Sequence, residues 1–187
     1  MGRPRAFDTG RVLDAAVGVF WERGYEATSV ADLEHATGLS RSSIYQAFGD
    51  KRELYQAALE HYRARWIEPR LAAMSAPGAG LAEIRAYLAV LAEFFESDPG
   101  IAMRGCLVVN GVSELGLHDE RVRQAGLTYR AAVLAALTNA LAGGGHPDPS
   151  GRAETMCAAV FGALVMTHFD PAAAARAIAL LRNDLSP

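Results

Sequence analysis

Between residues 9 and 75 the apolar positions recur at steps of three and four. Leu13, Ala16, Val17, Phe20 and Trp21 form one stripe, the period of a helix with a single inward face. Asp8 or Thr9 stands where its cap belongs, and Gly24 where it stops. A second, shorter helix is predicted from about 29 to 36, with Thr28 or Ser29 as cap and Val30 and Leu33 inward. Gly38 then breaks the chain in the left-handed conformation that a side chain resists. Ser40 caps a third helix, in which Ile44 and Phe48 sit four apart and face inward with Leu39. Gly49-Asp50 ends it, and Asp50 caps a long fourth helix over roughly 51–74, with a kink expected at Pro69.

The stretch Ser75-Ala76-Pro77-Gly78-Ala79-Gly80 reads as a linker. Beyond it the pattern predicts helices at about 81–97, 101–115, 119–142, 151–169 and 172–184. Alanine-rich composition and short β-branched runs agree with an all-α chain. The expected architecture is a three-helix head, joined by the long helix to a larger helical bundle. The expected division is a head over 1–50 and a body over 51–187.

Charge adds a constraint. The net charge of the 187-residue chain is -3. Residues 1–65 hold nine basic and nine acidic groups, so any nucleic-acid contact must come from local placement. Cys106 and Cys157 form no CxxC or Cys/His cluster and fit reduced thiols. MGRPRAFD has neither the apolar core of a secretory signal nor the Ser or Thr that myristoylation wants at position six. The longest apolar run, 156–166, is too short to span a bilayer. A soluble, cytoplasmic protein without membrane contact is expected.

Two short helices around a glycine turn make a helix-turn-helix, whose second helix can enter the DNA major groove. On a helical wheel Arg41, Ser42, Ser43, Tyr45 and Gln46 lie outward or on the flanks. Arg41 can meet a guanine edge and Gln46 an adenine edge; the serines add short donors, and Tyr45 can reach a phosphate. Any surface helix has a polar face, however, and the motif also occurs in purely structural bundles. Arg3 and Arg5 form a basic arm that suits a minor groove or a solvated tail.

An ordered set of residues sharpens the reading: Phe20 with Gly24-Tyr25, then Thr28-Ser29-Val30, Ala36-Thr37-Gly38-Leu39-Ser40, and finally Ile44-Tyr45, Phe48, Lys51 and Leu54. Over residues 9–54 the chain resembles the DNA-binding head of the TetR family of bacterial transcriptional regulators. The resemblance implies a homodimeric repressor, a palindromic double-stranded operator, and a body that binds a small-molecule effector and then releases DNA. It adds Thr28 and Lys51, the one lysine in the chain, as expected backbone contacts. Ser42 and Ala47 depart from the glycine and histidine common in the family. Base preference at Ser42 therefore does not carry over, and Ala47 lacks a phosphate donor.

For the body, the resemblance implies an effector chamber. Met103, Cys106, Leu107 and Asn110 share one face of the predicted 101–115 helix, and Met103, Cys106 and Asn110 are candidate wall residues. Tyr62, Tyr87, Tyr129 and Phe161 are aromatic candidates; each can equally be core. The resemblance also implies a four-helix dimer face from the last two long helices. Ala158, Gly162 and Val165 are the candidate contacts, with packing inside the monomer as the alternative.

The rival readings are an enzyme and an architectural or protein-interaction bundle that keeps a structural head. The histidines His35, His61, His118, His146 and His168 have no metal-ligand spacing, and no GxSxG elbow or phosphate loop occurs. No catalytic residue, metal or cofactor is expected.

Overall fold

A computed structural model describes residues 7–185, and all the regular structure among them is helical. The arm residues Arg3 and Arg5 lie outside the described residues. The chain runs through α1 (Thr9–Arg23), α2 (Val30–Thr37), α3 (Arg41–Phe48), α4 (Lys51–Tyr62), a π-helical turn (Arg63–Ile67) and α5 (Glu68–Ser75). It continues through α6 (Leu81–Glu96), α7 (Pro99–Ala102), α8 (Leu107–Leu115), α9 (Glu120–Gly143), α10 (Pro149–Met166) and α11 (Pro171–Asn183).

Most of these boundaries follow from capping. Asp8, Ser29, Ser40, Asp50, Asp119, Asp148 and Asp170 each accept from a backbone N–H in the first turn of the helix that follows, groups that would otherwise lack a partner. Ser29 and Asp32 complete a reciprocal capping box at α2.

Phe20, Leu33, Ile44, Leu54 and Tyr55 close the core of the head and are continuous with the core of the body. α4 lies along α1 and also reaches α8 and α9, while α5 packs on α9 and α6. The long connecting helix is interrupted by the π turn at 63–67, ahead of the predicted kink at Pro69. Pro69 sits in the first turn of α5, directly after the π turn.

The predicted 101–115 helix is two helices. Gly105, at φ 58°, turns the chain between α7 and α8. A Cβ there would lie 2.9 Å from the Leu164 carbonyl and 3.0 Å from the Thr167 hydroxyl, so α10 approaches closer than a side chain permits. The shared face assigned to Met103 and Cys106 is lost at this break.

Candidate functional site

Local residues set the turn between α2 and α3. Gly38 takes φ 70°, ψ 10° and donates its N–H to the Glu34 carbonyl. The Glu34 carboxylate then accepts from the N–H of Arg41 at 2.6 Å. The Ser40 hydroxyl caps Ser43 N–H at 3.3 Å and lies within 3.0 Å of the hydroxyls of Ser42 and Ser43. Ile44 is fully buried, which turns Arg41, Ser42 and Gln46 to solvent, with Ser43 and Tyr45 half-buried on the flanks. The Arg41 guanidinium lies 5.3 Å from the centre of the Tyr45 ring, and the Lys51 ammonium 4.3 Å from that of Tyr25, both within cation–π range.

Thr28 requires a correction. Its side chain is 1% exposed and its hydroxyl donates to the Gly24 carbonyl at 2.6 Å. It braces the turn after α1, while Ser29 caps α2. The Thr28 hydroxyl therefore offers nothing to a DNA backbone.

In the body, Tyr62 of α4, Tyr87 of α6, Cys106 before α8 and Tyr129 of α9 line one narrow cavity of about 20 Å³. Arg70, Phe94 and Leu164 also line it. Tyr62 stands beside Cys106, and Tyr87 beside Tyr129. Burial pushes the three phenols and the Cys106 thiol above their ordinary values, so all four remain protonated near neutral pH. Cys106 is thus a thiol rather than a reactive thiolate.

The other three pocket candidates lie elsewhere. Met103 and Asn110 line an open groove of about 810 Å³ beside Trp21 and His168. Asn110 is polar and half-buried because it ties elements together: it donates to the Arg104 carbonyl at 2.8 Å and bonds His168 Nε2 at 2.8 Å. Phe161 packs at a tilt against Tyr129, with ring centres 4.9 Å apart, but lines a separate surface hollow with Leu127 and Arg130.

Residues 12–58 match the family model described as bacterial regulatory proteins, tetR family. Over that stretch the chain carries the DNA-binding head of the TetR family. Over 115 residues it is 36% identical to the HTH-type transcriptional repressor ComR of Escherichia coli K12, covering 61% of this chain and 54% of ComR. The uncharacterized HTH-type transcriptional regulator YezE of Bacillus subtilis 168 is 35% identical over 64% of this chain and 60% of its own length. The chain thus spans between half and two thirds of these relatives. Among solved structures, the TetR-family regulator CifR, a cysteine mutant in complex with a 26 bp operator, superposes with a TM-score of 0.81 at 26% identity. That match covers 99% of this chain and all of CifR. The family is one of transcriptional regulators rather than enzymes.

The helical TetR fold leaves Ala158, Gly162 and Val165 exposed on one face of α10, and a Cβ built on Gly162 meets nothing within 4 Å. Phe169 after α10, 73% exposed, and Leu180 on α11, 69% exposed, are further apolar side chains at the surface; sequence reasoning misses both. It also misses Arg70, because no local pattern separates a cavity arginine from a solvated one. No described helix is long and apolar enough to cross a membrane.

Proposed function

We propose that this chain is a DNA-binding repressor that acts as a homodimer on a two-fold-symmetric operator and leaves it when a small molecule occupies the body. The reading rests on α3, whose buried Ile44 holds Arg41, Ser42 and Gln46 outward. Arg41 and Gln46 read base edges, Ser42 and Ser43 adapt to them, and Tyr45 and Lys51 hold phosphates. One eight-residue helix reads few base pairs, so a two-fold site calls for a two-fold protein. The exposed face of Ala158, Gly162 and Val165 supplies the apolar contact, and its small residues allow close helix approach. The head comprises residues 1–50 and the body 51–187. The tyrosine-lined cavity with Cys106 is the effector site. The α4–π turn–α5 column carries the response, because an effector shifts the dimer only by binding its released form more tightly.

Selection of bound duplexes from a random pool, at two salt concentrations, tests this. One palindrome with affinity falling steeply as salt rises is the expected result. Sequences without a shared site would assign the head a structural role.

A further inference from the structure

The chemistry of the tyrosine cavity specifies a class of ligand, provided that the cavity is the effector site proposed for it. Ten arginines of the described residues, Arg23 and Arg52 among them, meet a carboxylate. Arg70, like Arg11, Arg41, Arg85 and Arg182, has no such partner among the described residues, and of these five it alone lines the cavity. It is half-buried, and its guanidinium lies 6.0 Å from the centre of the Phe94 ring. Opposite it stand three neutral phenols and a thiol, with no carboxylate in the wall. A guanidinium facing O–H donors and aromatic walls is an arrangement that lacks one component, an acceptor carrying negative charge.

We infer that the effector is a small monoanion, a carboxylate on an aromatic or short aliphatic body, held by Arg70 and by the hydroxyls of Tyr62, Tyr87 and Tyr129. The apolar body lies against Phe94 and Leu164. A buried carboxylate is tolerable only when paired and hydrogen-bonded, and this wall supplies both kinds of partner. A cation would meet Arg70 as a like charge, and a neutral molecule would leave it unpaired.

The cavity holds about 20 Å³, on the order of a single water, so such a ligand must part the walls. Tyr62 and Arg70 stand on either side of the π turn at 63–67. π turns are local irregularities that often mark functional sites. An anion held by both residues bears on the π turn that follows α4, which gives the ligand a mechanical path to α4 and so to the head packed on it.

The test uses the intact protein with benzoate, benzamide and benzylamine as probes. Melting temperature is one readout; tryptophan fluorescence is the other, because Trp21 and Trp66 lie 5.5 and 5.4 Å from the Tyr62 ring. Benzoate is expected to raise the melting temperature and bind at least about tenfold more tightly than benzamide, the scale of one charge-assisted hydrogen bond. Benzylamine should not bind. Arg70→Met should lose that preference, and Arg70→Lys, which keeps the charge, should retain part of it. Equal binding of benzamide, or unchanged benzoate affinity in a folded Arg70→Met protein, overturns the charge assignment while leaving an effector site in place. Failure of benzoate to bind also overturns it; release of selected operator by unrelated compounds then decides the effector reading by itself.

Discussion

The carboxylate of Glu114, on α8, accepts the backbone N–H of Tyr25, in the turn after α1, at 2.9 Å. Its second oxygen accepts the N–H of Glu26 at 2.8 Å. One body side chain thus satisfies two adjacent amides of the head, across 89 residues of sequence. Nearby, the Trp21 indole donates to the Arg104 carbonyl at 3.0 Å. Head and body are joined by directed bonds as well as by the shared core, so a movement in one is felt in the other.

Glu114→Ala is expected to cost about 1 kcal/mol or somewhat more, the range for hydrogen bonds to a charged group at a partly solvated site. Hydrogen exchange at the Tyr25 and Glu26 amides should accelerate while the amides of α3 keep their protection. Unchanged exchange at those two positions would show that the clamp does not persist in solution.

On DNA, Arg41→Ala should relax base choice at particular positions while sparing non-specific affinity. Lys51→Ala should weaken binding to all sequences and lower the salt slope by about one. Binding measured on the selected site and on scrambled duplexes separates the two; identical effects on every duplex would refute the division.

Gly111 lies where α8 crosses Tyr55, and a Cβ there would collide with the Tyr55 hydroxyl. Tyr55 is 1% exposed and cannot swing away. Gly111→Ala should therefore destabilise by about 1–3 kcal/mol through overpacking. Gly18→Ala, in α1 where an added Cβ meets nothing within 4 Å, should instead stabilise by about 0.5–1 kcal/mol. Urea midpoints of the two variants should move in opposite directions.

Asp119 accepts from Arg52 Nε at 2.8 Å, and this bond holds its carboxyl below the ordinary range. A depressed carboxyl adds stability that is complete above the unfolded value of about 3.9. That stability is lost as pH falls through the lower folded value. Asp119→Asn keeps a cap for α9 and loses the ion pair. Its stability deficit at neutral pH should shrink toward zero in acid, measured by denaturant titration across pH; a deficit independent of pH would remove the pair from the account.

The head is legible in the sequence because its determinants are local. Ser40 caps α3 through an amide three residues on, Ile44 marks its inward face one turn later, and Gly38 declares the turn by its own backbone. Thr28 misleads because two adjacent hydroxyls, Thr28 and Ser29, fit the same cap position. Only the Gly24 carbonyl, 2.6 Å from the Thr28 hydroxyl, shows which one faces inward. In the body, helix periodicity carries through 101–115 because Gly105 alone does not break a pattern. The break follows from α10, whose Leu164 carbonyl leaves no room for a Cβ there.

Helix order, the caps and the outward polar strip of α3 are thus properties of the sequence alone, since capping and periodicity act within about four residues. Packing decides the rest: Tyr62, Tyr87, Cys106 and Tyr129 share a cavity while Met103 and Asn110 do not. Arg70 faces those phenols without a carboxylate for the same reason. These side chains come from separate helices, and helix packing, to which local propensity is blind, sets the distances between them.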